Sequence, residues 1–62
     1  METKEIYRWA IDGLAERADH YKHLSAVRYA KGQIEQSEEY DKKRYSLLDK
    51  IEWLKAELQE GV

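Results

Sequence analysis

Tyr29-Ala30-Lys31-Gly32-Gln33-Ile34-Glu35-Gln36-Ser37, the stretch YAKGQIEQS over residues 29–37, decides how this chain folds. Helix-forming residues crowd both sides of it, proline is absent, and Gly32 is one of 3 glycines in 62 residues. A glycine directly after a basic residue suits the left-handed position that ends a helix, because it has no Cβ to clash there. Ser37 can cap a following helix with its hydroxyl, and Glu38 and Glu39 place negative charge where the helix dipole favours it. The stretch therefore predicts a chain reversal between a helix over residues 3–31 and a helix over residues 38–60, joined by a connection at residues 33–36. Thr3 is expected to cap the first helix, and Gly61 to follow the second.

Downstream of the turn, Tyr40, Arg44, Leu47, Ile51, Leu54 and Leu58 recur at alternating spacings of four and three. That is the rhythm of a seam packed on another helix, with Leu48 widening it. Arg44 is its polar member, expected to send its long stem to solvent near the turn. Upstream, Tyr7, Ile11, Leu14, Ala18, Tyr21 and Ser25 repeat the rhythm with alternating large and small side chains. Beside them runs a second stripe of Ile6, Ala10, Gly13, Leu24 and Val27, interrupted by Arg17 and His20.

One antiparallel partner helix covers only part of so broad a face. The expected architecture is all-α: residues 1–62 form a single helical hairpin that dimerises into a four-helix bundle. Ile11, Leu14, Leu24, Leu47, Ile51, Leu54 and Leu58 are its expected oligomer core. Ordering a residue costs roughly 1.5 kcal/mol while apolar burial returns roughly 25 cal/mol per Å², so a lone two-helix chain comes out near balance. Two other folds fit the composition. Glycine in a helix costs only about 1 kcal/mol relative to alanine, so Gly32 can sit inside one continuous coiled coil. A break at Asp12–Gly13 instead gives a three-helix bundle, though Ile11 and Leu14 flank that pair in helical phase.

Composition narrows the function. Cysteine is absent, which excludes disulfides and thiolate sites. No apolar run approaches 18 residues and no signal-like segment opens the chain, so no membrane contact and a cytoplasmic location are expected. A formal net charge of −2 argues against coating nucleic acid through bulk charge. Ser25, Ser37 and Ser46 lack a nucleophile-elbow context, and three isolated glycines make no phosphate loop. A two-helix chain has no water-excluding pocket of its own in which paired carboxylates do acid–base work. No enzyme activity and no cofactor are expected.

Three groups of residues carry the remaining functional signal. Trp9, Tyr29, Tyr45 and Trp53 fall outside the seams, where aromatic side chains with a polar tip serve as interface anchors. They make a small protein-interaction module, an adaptor or inhibitor that binds itself and a partner protein, the leading expectation. Arg28, Lys31, Lys42, Lys43 and Arg44, interleaved with Tyr29, Tyr40 and Tyr45, form the alternative: a basic, tyrosine-rich patch near the turn that grips nucleic acid or a small phosphorylated ligand. Glu38 and Glu39, four residues before Lys42 and Lys43, are placed to neutralise it. Glu16, Asp19, His20 and His23 share overlapping helix faces and are weak metal candidates; their spacing lacks the His-Glu-x-x-His and Glu-x-x-His patterns. Carboxylate–imidazole contacts on a solvated helix explain them as well, so no metal is expected.

Overall fold

The structure, a computed structural model, describes residues 2–60. Two helices make up the fold: α1, Thr3–Ala30, and α2, Ile34–Gln59. Neither contains proline; α1 is rich in alanine, and α2 in leucine, glutamate and lysine, whose side chains lose little freedom in a helix. They fold back on each other as an antiparallel hairpin with extents of 45 × 17 × 10 Å. The radius of gyration is 14.3 Å, against about 11 Å for a compact chain of this length.

Gly32 makes the reversal as its position in the sequence implies. It has a φ of +78°, its N–H donates to the Tyr29 carbonyl at 3.0 Å, and the Gln33 N–H donates to the Arg28 carbonyl at 2.9 Å. These two bonds are the paired closure of a Schellman turn, which satisfies carbonyls that the helix end would leave orphaned. An apolar contact commonly bridges the flanking residues of such a turn. Here a polar one does: Arg28 Nη1 donates to Gln33 Oε1 at 3.0 Å. A left-handed residue at Gly32 rules out one continuous helix, and α1 runs through Asp12–Gly13 without a break.

The caps and the connection differ from the sequence expectation. Glu2, with extended backbone, precedes α1, and Thr3 is already helical. The connection is Lys31, Gly32 and Gln33 rather than residues 33–36, and α2 begins at Ile34 rather than at residue 38. Ser37 is no cap: its N–H donates to the Gln33 carbonyl at 3.0 Å, one full turn into α2. The Schellman closure reverses the chain so tightly that α2 starts a turn early. Neither helix has a side-chain cap bond; Glu5 and Glu35 in the first turns supply the favourable charge instead. Gly61 lies outside the described residues.

The hairpin core follows both seams. Ala18, Ser25, Ser37 and Ile51 are buried, and Tyr7, Ile11, Leu14, Tyr21, Tyr40, Arg44, Leu47, Leu54 and Leu58 are half-buried. Ser37 thus extends the α2 seam by one position toward the turn. Its hydroxyl oxygen lies 2.9 Å from that of Ser25, whose hydroxyl donates to the Ser37 carbonyl at 3.1 Å. With Ser25 facing Ser37 and Tyr21 stacked on Tyr40, a step of one heptad places Ala18 level with Arg44 and Leu14 with Leu47. One heptad further, Ile11 comes level with Ile51 and Tyr7 with Leu54. No described large side chain is fully buried, so the seam is a shared strip rather than an enclosed core.

Candidate functional site

The register fixes where the surface residues meet. In an antiparallel pair, the flank of α1 next to Tyr7, Leu14 and Tyr21 lies beside the flank of α2 next to Tyr40, Leu47 and Leu54. The α1 stripe of Ile6, Ala10 and Gly13 therefore shares one side of the hairpin with Lys43, Ser46 and Trp53. Trp9, on the back of α1, borders this side at the level of Trp53, in the half away from the turn. Both indoles are open to solvent, Trp9 at 58% and Trp53 at 61% of full exposure. Tyr29, Ile34, Tyr45 and Leu48 occupy the opposite flank and are also exposed. The four aromatics expected to contact a partner are thus divided between two flanks.

The basic cluster is divided as well. Arg28 and Lys31 stand at the turn, whereas Lys43 reaches over the Tyr21 ring, ten residues or roughly 15 Å along α2 from Gln33. The cluster near the turn expected from sequence therefore separates into two groups. Several of its cations also have contacts within the chain. Arg28 holds Gln33, and Lys43 Nζ sits 5.8 Å from the Tyr21 ring centroid and 5.7 Å from that of Tyr40. The two rings are stacked, 6.0 Å apart and 25° from parallel. Arg44, rather than reaching freely into water, lays its guanidinium 4.9 Å from the Tyr45 centroid. Lys42 pairs with Glu39 at 3.8 Å, three residues away, in place of the four-residue pairing with Glu38. Arg28 Nε is buried without a hydrogen-bond partner among the described residues.

Sequence reading missed the Tyr21–Tyr40–Lys43 stack. Tyr40 and Lys43 lie one turn apart, which was visible, but Tyr21 joins them only through the inter-helix register. Tyr21, Glu39, Lys42, Lys43, Ser46 and Leu47 line a shallow depression of about 400 Å³, broadly open to water. A cleft this open leaves its charged groups solvated.

Glu16, Asp19, His20 and His23 are all exposed. The His20 ring lies against Tyr21 with centroids 6.2 Å apart. Among the described residues, no group of three or more histidine, cysteine, aspartate or glutamate side chains is disposed to hold a metal ion. No described helix is long and apolar enough to cross a membrane. Comparison with protein-family models, curated proteins and solved structures gives no match to this chain.

Proposed function

We propose that this chain is a small non-enzymatic interaction module, a homo-oligomeric helical hairpin that binds a partner protein as an adaptor or inhibitor. One observation carries the proposal: Ile6, Trp9, Tyr29, Ile34, Tyr45 and Trp53 stay exposed while no described large side chain is fully enclosed. Scattered exposed apolar residues are normal on a monomer. Large aromatics and isoleucines on both flanks of a chain this small leave unused apolar surface whose burial favours association. Two flanks give the module two surfaces, one for a copy of itself and one for the partner. Ile11, Leu14, Leu24, Leu47, Ile51, Leu54 and Leu58 form the centre of the proposed bundle.

Sedimentation equilibrium over a wide concentration range tests the proposal. The expected mass is a multiple of the 7.4 kDa chain, with a melting temperature that rises with concentration. A well-folded single chain at every concentration would remove the self-association on which this reading stands.

A further inference from the structure

We infer that a second copy of the chain docks on the flank bearing Ile6, Ala10, Gly13 and Trp53 and bordered by Trp9, α1 against α1, with closest approach at Gly13. The inference rests on the self-association proposed above and identifies the surface that carries it.

On α1, charge separates this flank from the other, while the α2 half of the same side carries Glu39, Lys43, Lys50 and Glu57. Between Thr3 and Val27, the α1 stripe through Ile6, Ala10, Gly13, Arg17, His20 and Leu24 holds one formal charge, Arg17. The opposite α1 flank carries Glu5, Arg8, Asp12, Asp19 and Lys22 over the same length. Depletion of charge along α1, beside exposed tryptophan, is the composition of an interface centre.

Gly13 supplies an independent observation. It sits inside α1, where glycine is the least favourable residue after proline. A Cβ built on it meets nothing within 4 Å, so packing within the hairpin does not require its missing side chain. Its φ is not positive either, unlike that of Gly32. A neighbouring backbone approaching from outside gives the glycine a use, because helices come closest where a side chain is lacking. A two-fold dimer brings the same patch of both copies together, so one glycine per chain is enough to place the crossing.

The exposed area fits one partner of this size. The hairpin exposes 4890 Å², against about 4200 Å² for a compact chain of its mass, a surplus of about 700 Å². Each partner in a standard interface buries roughly 800 Å². Covering one flank with an equal hairpin therefore brings the chain near the exposure of an ordinary folded protein.

The test pairs Gly13→Leu with Tyr45→Ala on the opposite flank, each followed by sedimentation and circular dichroism. Gly13→Leu is expected to keep its helical signal and to raise the dimer dissociation constant on the order of tenfold to a hundredfold. Tyr45→Ala is expected to leave it unchanged. The wild-type chain gives a second readout, because its 2 tryptophans both border this flank: dilution through the dissociation midpoint should shift their emission to the red. Dimers that survive Gly13→Leu but fall apart in Tyr45→Ala, or emission that stays constant through dissociation, would overturn the choice of flank while leaving self-association intact. Single chains at all concentrations would overturn both.

Discussion

Ser25 and Ser37 join the two helices one full turn inside the reversal, hydroxyl to hydroxyl at 2.9 Å, with the Ser25 hydroxyl donating to the Ser37 carbonyl. A consistent set of protons follows from that geometry. Ser25 spends its proton on the carbonyl, so the Ser37 hydroxyl donates to Ser25 Oγ. Two small side chains at one level also let the backbones approach closely enough for the carbonyl to be reached. Ser25→Ala removes both bonds and strands the Ser37 hydroxyl, and should cost about 1 kcal/mol; Ser37→Ala leaves Ser25 its bond to the main-chain carbonyl and should cost less, and the double replacement should cost less than the sum, because it leaves no stranded Ser37 hydroxyl. Urea denaturation of the two single variants and the double variant measures the coupling; strict additivity would contradict the bond.

Gly32 is expected to be the position where backbone alone sets stability. Its φ of +78° is strained for any residue with a Cβ, yet no atom crowds the space where a Cβ would stand. Gly32→Ala should therefore destabilise by roughly 1–2 kcal/mol, and Gly32→Asn by less, since asparagine tolerates the left-handed region. Equal melting temperatures for the wild type and Gly32→Ala would show that the turn relaxes to another conformation.

Ile51 and Trp53 are two residues apart and should respond in opposite ways. Ile51 is 6% exposed in the seam and Trp53 is 61% exposed outside it. Ile51→Ala should lose about 2 kcal/mol or more of folding stability. Trp53→Ala should keep its helical signal while weakening association. Circular dichroism together with sedimentation separates the two effects, and a collapse of helicity in Trp53→Ala would place that indole in the fold instead.

Lys43 caps two stacked tyrosine rings, so its charge contributes within the hairpin. Lys43→Met keeps most of the stem and removes the cation, and should cost about 0.5–1 kcal/mol. The same change in a Tyr21→Leu, Tyr40→Leu background should cost nothing further. Thermal melts of these variants check the pairing, and an equal loss in both backgrounds would show that the lysine acts elsewhere.

Salt distinguishes the proposed module from the phosphate-binding alternative. Lys42, Lys43 and Arg44 already touch Glu39, the tyrosine pair and Tyr45, and a bound phosphate would have to compete with those contacts. Titration of a single-stranded oligonucleotide at low and moderate salt should show no tight binding. Affinity that falls steeply with added salt, and is lost on charge reversal at Lys43 and Arg44, would revive the alternative.

Sequence by itself determined the helices, the reversal and both seams. Spacings of four and three mark which side of each helix turns inward, and Gly32 is the residue able to adopt the left-handed turn. Those properties belong to single residues and their immediate neighbours, so they can be read one helix at a time. Tertiary structure decided what depends on register. It moved Ser37 from an expected cap into the seam, brought Tyr21 and Lys43 together, divided the basic cluster, and put Trp9 level with Trp53 beside Gly13. Helical periodicity repeats every heptad, so sequence alone leaves the sliding position of one helix along the other open. The tight closure at Gly32 and the contacts of Ser25 with Ser37 and Tyr21 with Tyr40 settle it.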